Sequence, residues 1–212
     1  MEEVKAEVAR RWQESFLKAL RPLENSRPLK EAAASGNLGD WTCALTGLVV
    51  LSVESLGWQA AALGHPCRAL PVSREEYLSL DVLAFAPAAP PAPATSGGGR
   101  DRNVGRWPSP VAAMELENGR SDDVVAYSLW KTLCTRADLR VVFCYRQTDG
   151  EGGSLMKILQ EEVIGSMSLE ERVGLGGETL VAVGIKEKLA AFPYGYFKWW
   201  RLDPGSGNFG IM

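Results

Sequence analysis

The period of the hydrophobic pattern first changes near residue 77, and that change restricts the fold more than any motif does. Before it, apolar residues recur at helical spacing, as in Val4, Val8, Trp12, Phe16, Leu17 and Leu20. After it they come in short runs: Tyr77–Ala86, Val111–Glu117, Arg140–Arg146, Thr179–Gly184 and Tyr196–Leu202. Several of these are apolar at successive positions, the pattern of strands covered on both faces. Helical stripes return between them, with Val125, Leu129 and Leu133 on one and Leu155, Leu159 and Val163 on another. The predicted order is helix, helix, strand, long loop, strand, helix, strand, helix, strand, strand. That is one α/β domain over residues 1–212, a mixed sheet flanked by helices.

Local signals set the expected boundaries. A first helix runs from residue 2 to about 20 and stops before Arg21-Pro22. A short helix is expected around Leu29–Ala34. A second long one, capped by Asp40, is expected from Trp41 to about Leu63, with Gly64 and Pro66 closing it. Gly47 and Gly57 weaken its continuity. Residues 87–108 are rich in Pro and Ala, then Gly and Arg. They read as a flexible excursion between two strands. Asn118-Gly119 fits a hairpin turn, but Ser121-Asp122-Asp123 fits a helix N-cap with acidic first-turn residues, so strand, turn, helix is the reading adopted. Gly150–Gly153 reads as a loop.

Composition closes several function classes. No apolar run reaches the roughly 18 residues that cross a bilayer, and the charged N-terminus has no signal-peptide core. A soluble, cytoplasmic protein without membrane contact is expected. The four cysteines, Cys43, Cys67, Cys134 and Cys144, are scattered and never form CxxC. With one histidine, His65, they supply neither a zinc ligand set nor the usual base for a Ser or Cys nucleophile. There is no GxxxxGK[ST] and no GxGxxG after a strand, so nucleotide cofactors lack support. A net charge of −3 gives no bulk attraction to polyanions. Local basic groups remain: Arg100, Arg102 and Arg106; Arg136, Arg140 and Arg146; and the aromatic-basic FKWWR of residues 197–201. Each reads first as a solvated face or packing, and second as a phosphate or base contact.

Three acids stand out. Asp81 interrupts an otherwise apolar strand, and Glu115 and Glu117 are two apart in the next, so both point to one face. Buried carboxylates are costly unless paired or metal-bound. If the two strands are neighbours, all three converge, and a hard divalent cation with oxygen ligands relieves their repulsion. An Asp in one strand, a long connection, Glu-x-Lys or a variant ending the next, then a helix and a strand, resembles the PD-(D/E)XK nuclease superfamily. The resemblance covers roughly Glu76–Arg146, and it implies a restriction-endonuclease-like α/β fold. It makes Asp81 and Glu115 metal ligands for Mg2+ or Mn2+, with the Leu116 carbonyl beside them. Glu117 fills the slot usually held by lysine, where it would hold a second ion or orient the attacking water. Lys131 in the following helix is the candidate replacement, and Glu14 or Glu54 a further ligand. The implied activity is metal-dependent hydrolysis of DNA phosphodiester bonds, with catalytic residues Asp81, Glu115, Glu117 and Lys131. A homodimer would supply the two sites that cutting both strands of a duplex needs. The alternative is an inactive member of the same fold that binds DNA or protein.

Overall fold

A computed structural model describes residues 8–72, 75–87 and 107–212. The start of the first expected helix, most of the 87–108 excursion, and Arg100, Arg102 and Arg106 lie outside the described residues. Seven strands form one sheet: β1 (Gln59–Ala62), β2 (Val82–Phe85), β3 (Ala112–Leu116), β4 (Leu139–Arg146), β5 (Glu178–Ile185), β6 (Phe197–Asp203) and β7 (Asn208–Ile211). Their spatial order is their chain order. β1, β2 and β3 pair antiparallel; β3, β4 and β5 pair parallel; β6 and β7 add an antiparallel hairpin.

Chain order dictates the layers. Both parallel crossovers step in the same direction and share one hand, so their helices fall on the same face. These are α4 (Asp122–Leu133) and α5 (Asp149–Ile158), the latter continued by a π-helical turn at Leu159–Ile164. Val125, Leu129, Leu155 and Leu159 pack there against Val142, Val181 and Val183. The opposite face is covered by α1 (Val8–Leu20), α2 (Leu23–Ser35) and α3 (Leu38–Ser55). The centre of that core is aromatic: Trp12 and Phe16 meet Phe143 and Trp199 with ring centroids 5.2–5.9 Å apart. The sheet is mixed and flanked by helices on both faces, as expected.

Several boundaries differ from the sequence expectation. α3 ends at Ser55 rather than near Leu63, because Gly57 turns the chain at φ 77° and Gln59–Ala62 pairs with β2. The apolar QAAA segment carries no period of its own, so strand pairing decides its state. Asn37 caps α3 in place of Asp40, accepting the Asp40 backbone N–H at 3.3 Å. α2 runs from Leu23 to Ser35, with Pro28 inside it. Gly150–Gly153 is helix, not loop. Thr148 caps it, and a Cβ at Gly152 would lie 3.3 Å from the Trp200 ring, so glycine lets α5 approach the sheet. A sixth short helix, α6 (Leu169–Gly174), and the edge strands β1 and β7 were not expected.

FKWWR is packing: Phe197 and Trp199 are buried on the α1–α3 face and Trp200 on the other. Arg140 is buried and donates to the carbonyls of Thr135 (3.1 Å), Leu175 (2.9 Å) and Gly176 (2.8 Å). It joins the chain just beyond the C-terminal ends of α4 and α6, where a cation suits the helix dipole. Arg146 is likewise buried and pairs with Asp122. The Arg136, Arg140 and Arg146 group is therefore structural at two of its three positions. All four cysteines are free. Among the described residues no helix is long and apolar enough to cross a membrane.

Trp12 gives a test of this packing. It is fully buried, yet its indole N–H has no partner among the described residues. Trp12→Ala should lower unfolding free energy by about 3–5 kcal/mol in urea titration. Trp12→Phe should cost clearly less, because it keeps the ring and removes the unpaired donor. Equal losses would contradict this assignment.

Candidate active site

The antiparallel β2–β3 pair brings the start of one strand to the end of the other. Val82 stands opposite Met114, so one further step sets Asp81 beside Glu115. There the ladder stops and side chains replace it. The Leu116 N–H donates to Asp81 Oδ2 at 2.7 Å, and the Asp81 N–H donates to Glu115 Oε1 at 3.4 Å. Each strand end thus finds its missing acceptor in the other strand's carboxylate, which satisfies backbone donors that the departing chain would leave open.

Alternation along β3 sends Met114 and Leu116 into the α1–α3 core and Glu115 to the α4 face. Glu115 is 4% exposed. Its counter-charge comes from α4: Lys131 Nζ lies 2.7 Å from Glu115 Oε2 and also donates to the Ser79 carbonyl at 2.8 Å. Burial pushes the Glu115 carboxyl from 4.5 up to about 7; the Lys131 hydrogen bond opposes the rise and the Asp81 charge adds to it. Desolvation wins over the ion pair. With both acids ionised, Asp81 and Glu115 carry two negative charges against one ammonium, leaving an excess of one.

Ser79 holds its carbonyl toward Lys131 through an unusual turn. Leu78 and Ser79 adopt φ of 59° and 54°, and the Leu80 N–H donates back to the Tyr77 carbonyl at 3.1 Å. Two successive left-handed residues are the signature of the hairpin turn that favours Asn-Gly. Here Leu and Ser occupy it at a cost on the order of 1–2 kcal/mol each. Nothing in TyrLeuSerLeu announces that conformation, so sequence reasoning missed the Ser79 carbonyl as part of the site. Strain of this kind gathers where the surroundings need one particular geometry.

The third acid goes elsewhere. Glu117 lies just past β3, where its Oε1 takes the Gly119 N–H at 2.6 Å and its Oε2 the Ser128 hydroxyl at 3.1 Å. The Asn118-Gly119 turn folds the chain back onto its own carboxylate and points it along α4. The expected trio is therefore divided: Asp81 and Glu115 meet, while Glu117 binds neutral donors. Among the described residues no three His, Cys, Asp or Glu side chains form a group placed to hold a metal ion. Glu14 is an exposed partner of Arg10 on α1, and Glu54 is exposed near the end of α3. Both helices lie across the sheet from Glu115, which removes these two as ligands.

The two convergent carboxylates are hard oxygen donors, and Asp81 Oδ1 has no hydrogen-bond partner among the described residues. That donor set and its excess negative charge fit a hard divalent cation better than a thiophilic metal. No family model matches the chain, and no curated protein or solved structure matches it.

Glu115 makes stability depend on pH in a specific direction. Its folded value of about 7 lies above the ordinary 4.5, so the folded protein holds the proton more tightly. The resulting stabilisation is present below about pH 4.5 and is lost as pH rises through 7. At about 1.36 kcal/mol per pH unit the loss is on the order of 3 kcal/mol. In urea titrations without divalent cations, Glu115→Gln should remove this decline relative to wild type. Lys131→Met, which deletes the opposing cation, should carry the decline above pH 7. Superimposable wild-type and Glu115→Gln profiles would rule the assignment out.

Proposed function

We propose that this chain is a divalent-metal-dependent phosphodiesterase that hydrolyses DNA, built on a restriction-endonuclease-like fold. One observation carries the reading: Glu115, at a strand end, accepts the backbone N–H of Asp81 from the neighbouring strand start and pairs with Lys131 from the following helix, while the Asp81 carboxylate holds the adjacent Leu116 N–H. The succession β2, β3, α4, β4 supports it, because it matches the strand, strand, helix, strand order of the resemblance.

Asp81 and Glu115 would hold Mg2+ or Mn2+. Such an ion lowers the pKa of a bound water and stabilises charge on the phosphoryl oxygens. The chain's own groups do the rest. Lys131, fixed by the Ser79 carbonyl, presents an ammonium to the phosphate and neutralises charge as the water attacks. Its position on α4 replaces the strand lysine that Glu117 displaces. Glu117, held by Gly119 and Ser128, would have to release one of these donors to orient the attacking water or hold a second ion. Burial pushes the Glu115 carboxyl up to about 7, so a proton competes with the ion and metal binding should strengthen as pH rises through that value.

A second reading has its own observation. Lys131 already spends two contacts on Glu115 and Ser79, and the acids do not form a three-ligand group. A non-catalytic module that binds DNA or protein would need no more than that.

Cleavage of plasmid and single-stranded DNA in Mg2+ or Mn2+ separates the two. The nuclease reading expects activity that falls at least about 100-fold in Asp81→Ala, Glu115→Gln and Lys131→Ala, with metal affinity lost in the first two. Wild-type protein that neither cleaves nor binds metal supports the binding module. Cleavage that survives Asp81→Ala and Glu115→Gln sinks the proposed site.

A further inference from the structure

The surface around Lys131 suggests what kind of strand enters the site. α4 leaves Tyr127 and Trp130 in water, 60% and 54% exposed, stacked with centroids 5.9 Å apart and planes 29° from parallel. The opposite side of the same helix is fully packed by Val125, Leu129 and Leu133. Large rings held together on a surface mark a contact site. Lys131 links this pair to the acids: its Nζ lies 5.8 Å from the Tyr127 ring centroid and 2.7 Å from Glu115. Ser79 also lines a cleft of about 530 Å3 that includes Leu78 and the exposed Trp107. A cation beside a pair of ring surfaces suits a nucleic-acid strand, in which charged phosphates separate flat bases.

We infer that the Tyr127–Trp130 pair is a stacking platform for an unpaired base, so that the substrate is single-stranded nucleic acid or a single-stranded segment. The inference rests on the phosphodiesterase reading for its choice of nucleic acid. In a duplex the base faces are covered by their neighbours, and only an unpaired base offers one to a protein ring. Charge also sets the direction. Exposed Asp123, one turn before Tyr127, repels a phosphate, whereas Lys131, one turn after it, would face one on yielding its Glu115 contact.

The test measures binding without turnover. A fluorescent oligo-dT of about 20 nucleotides and a duplex of equal length are titrated in EDTA and followed by anisotropy. Tyr127→Ala and Trp130→Ala should each weaken oligo-dT binding about 10-fold, the effect of removing one stacking ring. Tyr127→Phe and Trp130→Phe should retain it, and duplex binding should not change in any of the four. An oligonucleotide of the same length with abasic sites should bind wild type about as weakly as the alanine variants bind oligo-dT. Both positions are exposed, and thermal melts check that each variant is folded. Alanine variants that bind oligo-dT like wild type overturn the inference. So does a platform whose loss abolishes self-association, seen by sedimentation, while leaving DNA binding intact. A protein that stacks oligo-dT through these rings but cleaves no DNA keeps this inference and loses the hydrolytic reading. The reverse pattern loses only the platform.

Discussion

Everything around the site depends on the cost of burying one carboxylate in β3. Alternation forces Glu115 onto the α4 face, where it is almost wholly removed from water. An unpaired charge there would cost several kcal/mol, and the surroundings are arranged to offset it. Lys131 reaches down from α4, and the Asp81 N–H turns toward the same carboxyl. The compensation is incomplete, because Asp81 adds a second negative charge at close range and desolvation still outweighs the ion pair. A fold under no functional demand would place an aliphatic residue at this position, as β4 does at neighbouring Val142.

That local problem is posed by topology. Parallel strands β3, β4 and β5 end on one edge of the sheet, where α/β proteins gather their ligand-binding groups. β2 runs the other way, so its first residues lie at that same edge. The meeting of Asp81 with Glu115 therefore follows from one antiparallel pair beside one parallel pair. The strained Tyr77–Leu80 turn and α4 are then joined by Lys131, which touches both. Moving either would open the ion pair.

Sequence made the framework legible because its signals are local and repeated. The apolar runs at 77–86, 111–117, 140–146 and 179–184 announce buried strands, and the stripe Val125, Leu129, Leu133 announces α4. β1 and β7 were illegible, because short edge segments such as QAAA have no period and take their state from a partner strand. Gly150–Gly153 misled for a related reason: glycine favours loops, but here it is selected by the closeness of Trp200. In the site, Asp81 and Glu115 were readable as polar residues in apolar runs. The fate of Glu117 was not, since it turns on hydrogen bonds from Gly119 and Ser128 made only after the chain reverses. The aromatic signal was only partly legible. FKWWR is conspicuous in sequence and packs inward, whereas Tyr127 and Trp130 sit in an ordinary helix and face water.

The lysine's place on α4 alters how such a site responds to charge. A lysine two residues along β3 would share a strand with Glu115 and hold a fixed distance from it. From α4, Lys131 reaches Glu115 across a helix–sheet interface and is tied as well to the Ser79 carbonyl. Under the proposed metal-dependent reading, a divalent cation bound at Glu115 Oε2 would compete with this ammonium. Two positive centres cannot both sit within hydrogen-bond reach of Oε2 without strong repulsion. A flexible four-carbon stem lets Lys131 yield that contact and keep the Ser79 carbonyl. On that reading the ammonium would remain beside the acids, free to face an anion.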